Sequence, residues 1–235
     1  MEKINQKLWA IIVAGGSGSR IQAAVPKQFL ELSGTPVLMH SITAFADACE
    51  GIQMIVVLPS QQIEYWQELC SRHDFTLPHE VVEGGDTRFQ SVKNGLSLLA
   101  GEGLVAVHDG VRPLASLQTI VRCFHEAAKY GCAVPVLPVN DSVRQLSQAS
   151  SKILDRTRLR LIQTPQVFDA ALLKKAYQRP YAPTFTDDAS VFEKAGHDIH
   201  LTEGNVENIK ITTQNDLIIA EALKKFSENI RSCLK

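Results

Sequence analysis

Five short apolar runs constrain this chain more than any other feature. They are "AIIVA" (10–14), "QMIVVLP" (53–59), "HEVVEG" (79–84), "LVAVHD" (104–109) and "CAVPVLPV" (132–139). Runs that are β-branched and apolar on both faces read as strands covered on both sides, as the central strands of a parallel sheet are. Helix candidates with start and stop residues lie between them. Thr35 precedes Pro36 at a first helical position, and Ser60 precedes "QQIEYWQELCSRH". Ser116 precedes "LQTIVRCFHEAAKY", where Ile120, Phe124 and Ala127 share a face and Gly131 ends the run. The last helix is expected from near Thr213, with Ile219, Leu223, Phe226 and Ile230 as its buried stripe. Strand–helix alternation from the N-terminus predicts an α/β fold with a mostly parallel sheet.

One stretch breaks the alternation. Residues 137–164, "LPVNDSVRQLSQASSKILDRTRLRLIQT", are polar, with "SQASS" as a turn between two extended arms. They predict a protruding β-hairpin on a single domain spanning 1–235. A two-stranded ribbon is marginal alone, so a second copy of the chain is the simplest partner for it. The net charge of −1 provides no electrostatic footprint for nucleic acid or an anionic membrane, so basic groups must act locally. No apolar run approaches the roughly 18 residues of a membrane span. "MEKINQK" lacks the apolar core of a signal peptide. Cys49, Cys70, Cys123, Cys132 and Cys233 form no CxxC pair, and their odd number suits reduced thiols in the cytoplasm.

The first strand runs into "GGSGSR" and then to "VPKQF". The GKS/GKT phosphate loop is disfavoured, because no Lys-Ser or Lys-Thr follows the glycines. A dinucleotide fingerprint is disfavoured, because Ile21 stands where its third glycine should be. What remains is a glycine turn whose Gly15, Gly16 and Gly18 let backbone N–H groups face an anion. Arg20 adds a planar fork of donors, and Lys27, aimed by Pro26, adds a compact charge. The plain alternative is a tight turn beside two solvated cations.

Other motifs carry compatible chemistry. "VHDGVRP" (107–113) places Asp109 at the C-terminal end of a strand, where α/β folds bind ligands. One carboxylate with substrate phosphates is a usual way of holding Mg²⁺. Arg112 pairs either with phosphate or with Asp109 in a structural turn, and His108 reads as a packed, hydrogen-bonded histidine. In "EGGDTRFQSV" (83–92) a second glycine turn precedes Asp86, Arg88 and Ser91, which can read a base edge or simply begin a helix with Asp86 or Thr87 as cap. "TDDAS" (186–190) reads as a helix cap that could share a substrate hydroxyl. "NIKITT" (208–213) puts Lys210 mid-strand between Ile209 and Ile211, as a solvated side chain or a third cation. No nucleophile elbow and no zinc-ligand spacing occur. A phosphate monoester is already mostly a dianion at neutral pH, so transfer to it needs positioning and charge neutralisation rather than a strong base.

In order along residues 8 to about 225, "AGGSGSRIQAAVPKQF", "GGDTRFQSV", "HDGVRP", "DRTRLRLIQTPQVF", "TDDAS" and "NIKIT" resemble the 2-C-methyl-D-erythritol 4-phosphate cytidylyltransferases of the non-mevalonate isoprenoid pathway. The resemblance implies a Rossmann-like nucleotidyltransferase domain whose β-arms interlock in a homodimer. It also implies Mg²⁺-dependent joining of CTP to a sugar-alcohol phosphate with release of pyrophosphate. By position, Ala14, Gly15, Gly16 and Gly18 would line the CTP site, and Gly85, Asp86 and Ser91 would recognise cytosine and nearby groups. Arg20 and Lys27 would hold phosphates and stabilise the transition state, and Asp109 would hold the metal. Arg112, Ser142, Arg156, Thr164, Thr186 and Lys210 would place the acceptor, with Ser142 and Arg156 serving the partner's site; Arg156 and Lys210 also count as catalytic. Ser142 stands where many members carry threonine, and Gly110-Val111 replaces an Ala-Ala pair. Ribitol-5-phosphate cytidylyltransferase is the alternative, and Asp155-Arg156 before "TPQ" together with "TDDAS" favours the methylerythritol enzyme.

Overall fold

The computed structural model describes residues 4–15 and 25–233, with side chains described as far as Phe226 in the last helix. Gly16, Gly18, Arg20, Ile21 and the side chain of Ile230 therefore lie outside the described residues. The five apolar runs form strands: β1 (Leu8–Val13), then, after the two-residue ladder β2 (Glu31–Leu32) and β3 (Thr35–Pro36), β4 (Gln53–Leu58), β5 (Glu80–Glu83), β6 (Leu104–Asp109) and β7 (Cys132–Pro138). They are followed by β8 (Val143–Leu146), β9 (Ser151–Leu154), β10 (Arg160–Ile162), β11 (Gln166–Asp169) and β12 (Leu201–Glu203). The main sheet runs β10-β7-β11-β6-β1-β4-β5, with β12 also on β7. β1, β4, β5 and β6 are mutually parallel, whereas β11 lies antiparallel between β6 and β7.

β1, β4 and β6 bury both faces, and their residues sort by parity as strand geometry requires, whereas β5, expected to be covered on both sides, is an edge strand with no fully buried residue. Ala10, Ile12, Val56, Leu58 and Ala106 face one apolar cluster, and Trp9, Ile11, Val57, Val105 and Val107 face the other. Helices α1 (Val37–Ala48), α2 (Ser60–Arg72) and α4 (Leu117–Tyr130) contribute to the first cluster. Helices α3 (Arg88–Ser97), α5 (Ala170–Ala176) and α6 (Asp188–Lys194) contribute to the second. α4 is built as its sequence predicts. Ser116 Oγ accepts from Thr119 N at 3.1 Å, Gly131 closes the helix at φ 83°, and Ile120, Phe124 and Ala127 are buried.

Four local expectations are corrected. Pro36 is not helical: its ψ of 137° is extended, it pairs with Glu31, and α1 starts at Val37. Ser60 is the first helical residue rather than a cap, because Pro59 takes the cap position without a side-chain bond. Residues 208–213 form no strand; Ile211 N donates to Val111 O at 2.9 Å outside any ladder. Helix α7 (Gln214–Cys233) buries Ala220 and packs Leu217 beside Leu32, Val37 and Ile211, while Ile219 and Phe226 are exposed. Its apolar residues lie on two faces, and the face that meets this small cluster sets the rotation.

Within 137–164, β8 and β9 pair as a separate two-stranded antiparallel sheet, with Val143 opposite Leu154 and Leu146 opposite Ser151. Leu146 is 81% and Ile153 62% exposed. The four described cysteines Cys49, Cys70, Cys123 and Cys132 are free thiols. No helix among the described residues is long and apolar enough to cross a membrane.

Candidate active site

The C-terminal ends of β1, β4, β5 and β6 meet at one edge of the sheet, the usual ligand crevice of an open α/β fold. Ala14 N donates to Val57 O at 2.9 Å and Gly84 N to Leu58 O at 2.8 Å, so both glycine turns start against the end of β4, one on each side of it. At Gly110 a methyl group would lie 2.9 Å from Leu38 Cδ1 and 3.0 Å from Ala14 Cβ, which accounts for glycine after the aspartate in this chain. In the second turn Ser91 Oγ accepts from Gly85 N at 3.1 Å and donates to Thr87 O at 3.0 Å. Thr87 Oγ1 caps α3 through Gln90 N at 3.1 Å. Ser91 thus shapes the turn, while Asp86 beside it is exposed.

Two hollows open along this edge. The first, of about 190 Å³, is lined by Ala14, Gly15, Lys27, Gly85, Asp86 and Ser91, among others. The second, of about 250 Å³, is lined by Arg112, Gln163, Thr164, Gln166, Thr186 and Asp187, among others. Arg88, Asp109 and Lys210 border both. The cleft is therefore two lobes joined at one carboxylate.

That carboxylate is crowded by cations. Lys210 Nζ lies 2.9 Å from Asp109 Oδ2, Arg112 Nε 3.3 Å from the same oxygen, and Arg88 Nε 3.5 Å from Oδ1. Burial alone would push the Asp109 carboxyl up, but Arg88, Lys210 and Arg112 outweigh it and hold it well below the usual carboxylate range. Arg112 also donates from Nη1 to Asn208 O at 2.8 Å, which ties 208–210 to the end of β6. Burial likewise opposes the Arg88 charge, and Asp188 and Asp109 more than compensate, so the guanidinium stays protonated. Asp188 is fully buried and bonds Arg88 Nη2 and Tyr177 Oη, each at 2.6 Å. Burial and this carboxylate raise the Tyr177 phenol well above its ordinary value, which keeps it a donor.

The structure brings together, among the described residues, most of those the sequence singled out. Ala14, Gly15, Lys27, Gly85, Asp86 and Ser91 share the first lobe; Arg112, Thr164 and Thr186 share the second. Asp109 and Lys210 stand between them. Thr164 is only 4% exposed, and its hydroxyl accepts from Asp109 N at 3.0 Å and bonds His108 Nδ1 at 3.1 Å, so it fixes the strand end as well as lining the lobe. His108 is packed as expected, with Nε2 at 3.1 Å from Arg112 O, and burial lowers it to about 4. Ser142 and Arg156 are exposed on the hairpin segment and line neither lobe of their own chain. The sequence understated Arg88, Gln166, Asp187 and Asp188. Asp187 does cap α6 through Ser190 N at 2.9 Å, but Gln166 Nε2 also reaches its Oδ2 at 2.8 Å. The long-range partners of these residues have no local sequence mark.

No group of three or more His, Cys, Asp or Glu among the described residues could hold a metal ion by itself. The described residues thus offer no all-protein metal cage, and Asp109, the carboxylate at the lobe junction, is paired with Lys210, Arg112 and Arg88.

Comparison with known proteins agrees with this geometry. The family model described as IspD, 2-C-methyl-D-erythritol 4-phosphate cytidylyltransferase, matches residues 8–225. A protein of that name from Bacteroides fragilis is 51% identical over 214 residues, covering 91% of this chain and 98% of the relative. A crystal structure of the 4-diphosphocytidyl-2C-methyl-D-erythritol synthase from Anaerococcus prevotii superposes with a TM-score of 0.79 at 28% identity, covering 94% of this chain and 96% of that one. The 2-C-methyl-D-erythritol 4-phosphate cytidylyltransferase of Thermus thermophilus does so with a TM-score of 0.72 at 31% identity, covering 94% and 100%.

Proposed function

The chain belongs to the 2-C-methyl-D-erythritol 4-phosphate cytidylyltransferase family, and from that membership we infer that it transfers the cytidylyl group of CTP to 2-C-methyl-D-erythritol 4-phosphate. The products are 4-diphosphocytidyl-2-C-methyl-D-erythritol and pyrophosphate, and the reaction serves isoprenoid precursor synthesis. The observation that supports the reading best is the two-lobed cleft joined at Asp109, Arg88 and Lys210. One lobe suits a nucleoside triphosphate, the other a sugar-alcohol phosphate, and both phosphates meet at the shared cations.

In the reaction an oxygen of the acceptor's phosphate bonds to the α-phosphorus of CTP, and the bond from that phosphorus to the bridging β-phosphate oxygen breaks. The acceptor is already a dianion, so no side chain need remove a proton from it. Ala14, Gly15, Gly85, Asp86 and Ser91 hold the nucleotide, with Gly16 and Gly18 assigned to the same loop. Lys27, Lys210 and, by position in the glycine loop, Arg20 hold the crowded phosphates and offset the charge that builds on them. Arg112, Thr164 and Thr186 seat the acceptor. Asp109 would hold Mg²⁺ or another divalent cation, which when bound supplies neutralising charge to the triphosphate. Ser142 and Arg156 complete the partner subunit's site in a homodimer joined through the hairpin, residues 137–164, of an otherwise single domain. Free thiols among the described cysteines and a nucleoside triphosphate substrate support the reading of a cytoplasmic enzyme.

A pyrophosphate-release assay tests the reading. Release is expected with CTP and methylerythritol phosphate, lost with EDTA and restored by Mg²⁺. Ribitol 5-phosphate is expected to give little. Release with ribitol 5-phosphate alone, or with neither acceptor, would overturn it.

A further inference from the structure

Arg88 occupies the junction of the two lobes and is itself held from behind. It is the first residue of α3, directly after the Thr87 cap. Its Nη2 donates to Asp188 at 2.6 Å and its Nε lies 3.5 Å from Asp109. The side chain is 29% exposed and borders both lobes. Asp188 is fully buried, and a buried carboxylate persists only where its oxygens are paired. Its other oxygen takes the Tyr177 hydroxyl at 2.6 Å. The Tyr177 ring in turn stacks on Phe89, the next residue of α3, with centroids 4.6 Å apart. The first turn of α3 is thus gripped twice, from the C-terminal cap of α5 and from the start of α6. A guanidinium is planar, so fixing Nη2 and Nε fixes the direction of Nη1.

We propose that Arg88 is a further phosphate-contacting residue at the lobe junction, and that Tyr177 and Asp188 are positioning residues that aim it. The proposal rests on the cytidylyl-transfer reading. As the bond to the leaving pyrophosphate breaks, charge grows on oxygens near the junction, and a donor already in place needs no reorganisation to meet it. A lysine at 88 would keep the charge but could not span Asp188, Asp109 and a phosphate at once.

Arg88→Lys, Tyr177→Phe and the double variant test this by steady-state kinetics, with CTP-binding stoichiometry by calorimetry counting intact sites. Arg88→Lys is expected to lower kcat about 10²-fold with both KM values nearly unchanged. Tyr177→Phe keeps the stacked ring and is expected to lower kcat roughly five- to tenfold. In the Arg88→Lys background Tyr177→Phe is expected to cost less than about twofold, because it acts through Arg88. Wild-type kcat in Arg88→Lys, or the same Tyr177→Phe loss in both backgrounds, would overturn the proposal. Should Arg88→Lys fail to fold, Tyr177→Phe decides alone: a lower kcat at unchanged KM and full stoichiometry sustains the proposal, and an unchanged kcat ends it. Wild-type chain that releases no pyrophosphate sinks the reading itself, whereas active wild type with indifferent variants sinks only the role of Arg88.

Discussion

Lys27 opens a single 3-10 turn, Lys27–Phe29, that Pro26 starts with an extended backbone. Phe29 N closes the turn on Pro26 O at 2.9 Å, and Gln28 beside the lysine is fully buried, donating to Ala14 O at 2.8 Å. A lysine seated this way is carried by the core without forming part of it. Lys27→Ala is therefore expected to lower kcat by about 10²–10³ while the unfolding midpoint in urea stays close to wild type. Near-normal turnover would remove Lys27 from the transition state. Arg88 shows the limit of reading such residues from sequence. Its motif suggested a base reader or a helix start, yet its partner Asp188 is 100 positions away. Asp188 itself reads locally as an acid suited to the start of α6, so neither residue announces the other.

Among the elements, β1, β4, β5, β6 and β7 were legible because β-branched runs bounded by turn residues have few other uses. α4 was legible because its cap, stripe and terminal glycine agree. Strand β11 was not separable from its extended surroundings, and its antiparallel place between β6 and β7 follows from long-range pairing that no local pattern encodes. α7 carries apolar residues on two faces, so periodicity could not choose between them. The hairpin β8–β9 presents Leu146 and Ile153 to solvent, and the proposed dimer would give both side chains a partner. Replacing the two by serine is expected to shift the chain toward monomer in sedimentation and to lower turnover as Ser142 and Arg156 leave the partner's site. A monomer with full activity would separate the hairpin from catalysis.

For the whole molecule the acid limb of stability has an identifiable source. His108 is fully buried in β6 between Thr164 and Arg112, and its pKa falls from 6.5 to about 4. Burial favours the neutral ring, so between those values the unfolded chain binds the extra proton and stability drops as pH drops. From pH 7 to 5 this group alone is expected to cost roughly 2 kcal/mol. Asp109 adds in the same direction only at lower pH, as it becomes protonated below the ordinary carboxylate value. Urea unfolding of wild type and His108→Gln at the two pH values checks this. The variant is expected to lose the corresponding part of the pH slope, and an unchanged slope would assign it elsewhere.

The reversal of β11 has a consequence for how such enzymes change over time. Because β11 runs against β6, its start meets the end of β6, and Thr164 bonds Asp109 directly. The chain leaves the sheet at Pro138 on β7, makes the hairpin, and returns at Arg160 opposite Pro138. Insertions or deletions in that excursion would thus be delivered to the lobe proposed to seat the acceptor. The proposed nucleotide wall follows β1 and β5, on the other side of β6. On the proposed roles the architecture is modular: editing this one excursion would alter the acceptor lobe while leaving the nucleotide lobe in place.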